Sequence, residues 1–133
     1  MSVIFSDLEP IIVEHIQNSL DSYGGTVASN VRVATRKAPP QATQPSKEVI
    51  IAVSYGVTTN KVIREASAVL DIYADDYATA SDLASLVAAL IIDVESDPIK
   101  MAEVNVGPIR VPNQGPQEQR SMTVDFVVKG STL

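Results

Sequence analysis

An α+β fold with a mixed, mostly antiparallel β-sheet and two packed α-helices is predicted by three features of the chain. Two segments, residues 7–23 and 75–94, carry apolar residues at helical spacing. Five others are β-branched or alternate apolar and polar residues. The two kinds follow one another in the order α-β-β-β-α-β-β. At 133 residues the chain fits one domain, residues 1–133, able to bury a core without disulfides or metal.

In the first segment Leu8, Ile11, Ile12, His15, Ile16, Ser19 and Leu20 share a helical face, while Glu9, Glu14, Gln17, Asn18 and Asp21 lie mostly elsewhere. Asp7 is the preferred N-cap, because it sets Pro10 in the first turn, where a missing N–H costs nothing. The alternative, a capping box of Ser6 and Glu9, leaves Pro10 where an N–H is needed. Gly24-Gly25 ends the helix. Residues 27–35 then read as a strand, with Val27, Ser29, Val31 and Val33 on one face. Residues 48–55 form the next, with Val49, Ile51, Val53 and Tyr55 on one side and Ile50 and Ala52 on the other. Apolar residues on both faces predict a central strand or a face covered by a partner. Val49, Ile51, Val53 and Tyr55 are therefore the candidate subunit interface.

A turn at 56–60 leads to a long strand, residues 61–74. Ala66, Ala68, Leu70 and Ile72 share one side of it, and Ser67, Val69, Asp71 and Tyr73 the other. The second helix is capped by Asp75 or Asp76, carries Leu83, Leu86, Val87, Leu90, Ile91 and Val94 as its stripe, and is closed by Asp97-Pro98. Residues 99–106 and 120–129 form a last pair of strands. In the second of these Met122, Val124, Phe126 and Val128 alternate with Ser121, Thr123 and Asp125, which predicts one wet or interfacial face.

Two connections remain, residues 36–47 and 107–116, both rich in proline. They are either plain surface connections or arms, since proline lowers the entropy cost of holding an extended arm in a bound shape. As arms they offer Arg36, Lys37, Pro39 and Pro40, and then Ile109, Arg110, Val111 and Pro112, to neighbouring molecules.

Composition narrows the function. Formal charge is −6, with ten Lys and Arg against sixteen Asp and Glu, so no footprint for phosphate neutralisation stands out. Four Tyr, two Phe and no Trp argue against a base-stacking platform. Without cysteine there is no disulfide framework and no thiolate zinc site. The opening residues lack the basic flank and apolar run of a signal peptide, and the longest apolar stretch, residues 86–92, is too short to span a bilayer. A soluble protein is expected.

No catalytic motif emerges. Gly24-Gly25 lacks the lysine and strand-to-helix setting of a phosphate loop, and neither Gly-x-Ser-x-Gly nor His-Glu-x-x-His occurs. His15, the one histidine, is either a general base or a core-bordering side chain, and its apolar helix face favours the second. Asp71, Asp75, Asp76 and Asp82 gather near the start of the second helix; a divalent metal would suit them, but helix capping already accounts for Asp75 and Asp76. Asp93, Glu95 and Asp97 fall in the last turns of that helix, where the dipole disfavours negative charge. They form either a solvated face or acids turned toward a partner or a DNA channel. No metal and no cofactor is expected.

The run Ala68-Val69-Leu70-Asp71-Ile72-Tyr73-Ala74-Asp75-Asp76-Tyr77-Ala78-Thr79-Ala80-Ser81-Asp82-Leu83-Ala84 resembles tail terminator (tail completion) proteins of long, non-contractile-tailed bacteriophages, notably those of actinobacteriophages. Gly107-Pro108-Ile109-Arg110-Val111-Pro112 and the later segment from Arg120 to Gly130 share the likeness, as does the amino-terminal helix followed by strands. The resemblance implies a structural virion protein and not an enzyme. It implies a homohexameric ring that caps the tail tube, stops its growth and joins it to the head-side connector or stopper. The implied partners are further copies of the chain, the major tail tube protein, and double-stranded DNA passing through the lumen without sequence-specific binding; no membrane is involved. The implied place is the head-proximal end of the tail, after assembly in the host cytoplasm. The two proline-rich segments would then touch adjoining rings, and an acidic lumen would keep DNA mobile. Two alternatives are a head–tail connector of similar size and a small cytoplasmic binding module or enzyme, since fold alone does not separate them.

Overall fold

A computed structural model describes residues 3–4, 7–37, 45–58, 63–94, 98–112 and 115–132. Its elements run β1 (Val3–Ile4), α1 (Leu8–Tyr23), α2 (Gly25–Ala28), β2 (Arg32–Ala34), β3 (Lys47–Thr58), β4 (Ile63–Ala74), α3 (Tyr77–Ile91), β5 (Ile99–Val111), β6 (Glu118–Lys129) and β7 (Ser131–Thr132). Among the described residues, five strands form a sheet in the order β2-β3-β4-β6-β5. Only β2 and β3 run parallel; the other neighbours are antiparallel. The fold is α+β with a mixed sheet, as the sequence predicts. Strands β1 and β7 add a small antiparallel pair.

Both long helices begin at the expected aspartates. Asp7 accepts the Glu9 N–H at 3.2 Å, and Asp76 accepts the Thr79 N–H at 2.7 Å. Gly24 ends α1 with φ +77°, a backbone that glycine adopts without penalty. Helix α1 buries Leu8, Ile12, Ile16 and Leu20, spaced four residues apart, and packs on β2, β3 and α3. Helix α3 buries Ala80, Leu83, Ala84, Val87 and Ile91 and packs on β4, β6 and β5. Against this helix layer the sheet presents Val49 and Ile51 from β3, Ala66, Ala68, Leu70, Ile72 and Ala74 from β4, and Met122, Val124, Phe126 and Val128 from β6. The other face of β4 and β6 carries half-buried and exposed residues, among them Glu65, Ser67, Val69, Thr123 and Asp125.

Three sequence expectations are corrected. Residues 25–28 make a helical turn, so the expected strand at 27–35 shrinks to Arg32–Ala34. Gly25 at φ +81° starts this turn, and Asn30 at φ +56° turns the chain inside the span expected to be extended. The connection expected at 107–116 is strand as far as Val111, because β5 continues to pair Ile109, Arg110 and Val111 with Ser121, Arg120 and Gln119. Gly107 permits this: a Cβ there would lie 2.6 Å from the Ser121 carbonyl oxygen. Helix α3 ends at Ile91, with Ile92 as C-cap, so Asp93 sits in a turn beyond the helix and not in its last turns.

Leu70 has no exposed surface, whereas Val69 beside it is 40% exposed. Leu70→Ala is therefore expected to destabilise the fold by about 2–5 kcal/mol and Val69→Ala by no more than about 0.5 kcal/mol, read as shifts in urea unfolding midpoints.

Candidate interaction surfaces

The four residues of the candidate interface on β3 divide. Val49 and Ile51 have no accessible surface and lie in the chain's own core beneath the helix layer, so they are unavailable to another molecule. Val53 is partly buried against that core, and its N–H lies 3.5 Å from a Glu9 carboxylate oxygen. Tyr55 is 39% exposed; its hydroxyl accepts the Leu8 N–H at 3.1 Å and donates to Asp7 at 3.3 Å, clamping the start of α1 to β3. Among the β3 residues whose burial is described, the exposed ones are Ala52, Ser54, Tyr55 and Gly56.

The proline-rich segments are held at their bases. Glu48, with no accessible surface, receives Arg32 Nη1 at 2.7 Å and Lys37 Nζ at 2.9 Å. Lys37 also lies 4.0 Å from the Tyr73 ring centre and donates to Gln117 Oε1 at 3.3 Å. The buried Gln117 amide donates to the Pro45 carbonyl at 2.9 Å and to Asp75 at 3.2 Å. One buried carboxylate thus gathers β2, the first proline-rich segment, β3 and the approach to β6. The Tyr73 hydroxyl beside this cluster has its pKa raised, first by burial and then by the charges of Asp71 and Glu48. Lys37, expected as an outward contact, serves this internal knot. Arg36 is exposed, and its carbonyl accepts from Arg32 at 2.8 Å. Pro39, Pro40, Glu95 and Asp97 lie outside the described residues; Asp93 is exposed.

A second cluster forms where β5 and β6 pass the start of α3. Arg110 and Arg120 are register partners. Arg110 Nε donates to Glu118 at 3.1 Å, and Arg120 Nη1 lies 3.5 Å from the same carboxylate. Both guanidiniums face the Tyr77 ring, at 5.5 and 4.6 Å from its centre, and Tyr77 is 61% exposed. The hydrogen bond from Arg110 holds the Glu118 carboxyl below the usual range, and the Thr79 N–H does the same for Asp76. The sequence singled out Arg110 and passed over Tyr77, Glu118 and Arg120 as a group. The available signal was the hairpin: extending the final pair of strands to residue 111 sets the two arginines opposite each other.

Nothing in the described structure converges on a reaction centre. His15 Nε2–H donates to the Leu90 carbonyl at 2.8 Å, joining the two long helices. The four aspartates near α3 point to separate tasks: Asp76 caps, Asp75 accepts from Gln117, Asp71 accepts from Gln119 at 3.4 Å, and Asp82 is exposed. Among the described residues no group of three or more His, Asp or Glu is placed to hold a metal.

The fold has a known counterpart. A chain from the virion of a native gene transfer agent particle superposes with a TM-score of 0.63, over 89% of this chain and 94% of its own length. Sequence identity between them is 12%, so the likeness is one of fold. No family model and no curated protein matches the sequence. No described helix is long and apolar enough to cross a membrane.

Two measurements probe these clusters. Glu48→Ala removes the anion shared by Arg32 and Lys37 and is expected to destabilise by about 1–3 kcal/mol in chemical denaturation. Asp76 and Glu118 have folded pKa values below their unfolded ones, so their stabilisation is present above the ordinary carboxylate pKa and is lost as pH falls through the depressed values. On acidification from neutrality to about pH 3, the Asp76→Ala and Glu118→Ala variants are expected to lose less stability than the parent, seen as a shallower fall in urea midpoint.

Proposed function

We propose that this chain is a non-catalytic structural subunit of a virion: a tail terminator that forms a homohexameric ring on the tail tube, ends its polymerisation and joins it to the head-side connector. The observation that carries the proposal is the near full-length sharing of fold with a chain of a gene transfer agent virion. The resemblance of residues 68–84 and 107–130 to tail terminators sharpens it to one role. The absence of a convergent set of nucleophile, base and oxyanion donors among the described residues favours the same choice over a small enzyme.

The physical features suit a ring subunit. A closing ring needs two different patches on opposite sides of the molecule. The sheet has helices over one face and two unlike flanks, β2 with β3 on one side and β5 on the other. Its other face carries Glu65, Asp71, Glu103 and Asp125, with Glu103 and Asp125 register partners. Such a face, or the exposed Asp93 with Glu95 and Asp97, turned toward a lumen repels phosphate and leaves passing DNA mobile. Exposed Ile109, Arg110 and Pro112, together with Arg36, Pro39 and Pro40, remain the proposed contacts to adjoining rings.

The deciding experiment disables the gene in its phage and measures tail lengths by electron microscopy. Overlong tails without heads are expected. Normal tails beside filled or leaking heads would assign the chain to the connector instead, and complete infectious particles would overturn the structural role.

A further inference from the structure

The sheet face turned away from the helices is apolar in its middle and acidic around it. Register places Ala52, Val69, Thr123 and Val106 in one row across four strands, and Ile50, Asp71, Ser121 and Ile109 in the next. Val69 is exposed, and Val106, Ile109 and Met101, farther along β5 on the same face, are each about half exposed. Half of the large apolar side chains exposed among the described residues therefore share this face. A sheet face that meets only water carries polar side chains at such positions, and contiguous exposed apolar surface marks a contact site.

The row on the other side of Val69 and Val106 adds charge that the chain does not neutralise. Glu103 and Asp125 are register partners, and like charges set directly opposite are unfavourable without a cation between them. Together with Glu65 they line a depression of about 340 Å³ that Ser67, Met101 and Val127 also border. Asp125 accepts the Ser67 hydroxyl at 2.8 Å, and Asp71, beyond the apolar row, accepts from the Gln119 amide. Among the described residues none of these four acids forms an ion pair.

We infer that this face binds a cationic, apolar-sided segment of a different protein, whose lysines or arginines meet Glu65, Glu103 and Asp125 while its apolar side chains cover Val69, Val106 and Ile109. A second copy of the chain has few free cations to offer. Of its ten Lys and Arg, Arg32 and Lys37 are held by Glu48, Arg110 and Arg120 by Glu118, and Lys47 by the Thr26 and Val27 carbonyls, while Arg64 lies over the Tyr55 ring. DNA is repelled by the same acids that attract a cationic segment. Ile109, proposed above as a contact to an adjoining ring, lies on this face, so the partner is a component of that ring. The inference rests on the ring proposal for that identity, and it assigns this acidic face to a protein and not to a lumen.

Two measurements test it. The purified chain is titrated with a short peptide alternating lysine and valine, followed by backbone amide shifts. Saturable binding is expected, with shifts on β4, β5 and β6 and not on the helices, and E103Q/D125N is expected to weaken it about tenfold. Val69→Ala, which leaves the core intact, is expected to weaken it as well, and a peptide alternating glutamate and valine is expected not to bind. Failure of the lysine peptide to bind, or equal binding by E103Q/D125N, overturns the inference. In particles that contain the chain, benzoyl-phenylalanine in place of Val69 or Val106 is photo-activated and the linked peptide is sequenced by mass spectrometry. A Lys- or Arg-bearing segment of another virion protein is expected; a link to a second copy, to DNA or to nothing overturns the inference. The gene-disruption phenotype is scored separately: overlong tails with neither peptide binding nor a link would keep the terminator role and remove this surface, and both signals with tails of normal length would do the reverse.

Discussion

Alternate residues of β4, from Ala66 to Ala74, are buried beneath a single layer of helices, and this one-sided cover constrains everything else in the fold. Because the side-chain period of a strand is two, a register slip of one residue would bring Ser67, Val69 and Asp71 into the core and expel Ala68, Leu70 and Ile72. Strands β3, β4 and β6 each run for twelve residues and hold that register over most of their length. Alanines on both sides of the contact (Ala66, Ala68 and Ala74 on β4, Ala80 and Ala84 on α3) let the helix approach closely, while Leu70, Ile72, Val87 and Phe126 fill the space between.

Glu48 applies a second constraint at the end of that core. A carboxylate with no accessible surface is tolerated only with cationic partners in good geometry, and it obtains them from Arg32 and Lys37. Satisfying this one charge fixes β2 as the parallel edge and ties the first proline-rich segment to Gln117 and Asp75. Lys47 adds a further tie, donating to the Thr26 carbonyl at 2.6 Å and so holding α2 against the start of β3. The segments that leave the sheet here therefore start from fixed anchor points.

Much of this was legible in the sequence, and the misses have physical causes. The helix stripes, the aspartate caps and the alternation of β4 and β6 are local signals written in consecutive residues, and they place most of the core. The alternating valines of residues 27–35 predict a longer strand than the structure has because the pattern does not register Gly25 and Asn30, whose positive φ values redirect the chain. Gly107-Pro108 reads as a break in the sequence, so the pattern predicts a shorter β5 than the strand Ile99–Val111 of the structure. At a sheet edge proline loses no ladder bond, and glycine there allows the close approach to Ser121. The interface residues were mixed for a related reason. Apolar side chains on β3 signal burial equally whether the cover is a helix of the same chain or a neighbouring subunit, and for Val49 and Ile51 it is α1 and the core around it. The Glu48 and Arg120 clusters join residues up to eighty positions apart, which no local pattern reveals.

A sheet covered on one face must also deal with its edges, and the two edges here are treated differently. At the β3 side, α1 supplies Glu9 to the Val53 N–H and Tyr55 binds the helix start, so beyond the short β2 the edge is met by the chain itself. Among the described residues nothing covers the β5 edge in this way: Met101, Val106 and Ile109 are exposed along it, and beside them two arginines share one carboxylate. Monomeric proteins blunt long edges with charge, bulges or covering elements because an open edge invites pairing. Strand β5 does have bulges, between Val104 and Val106 and between Val106 and Ile109, yet its apolar side chains remain in solvent. The bulges answer the open backbone of the edge without hiding its apolar side chains, so β5 combines the shape of a protected edge with the surface of an unprotected one.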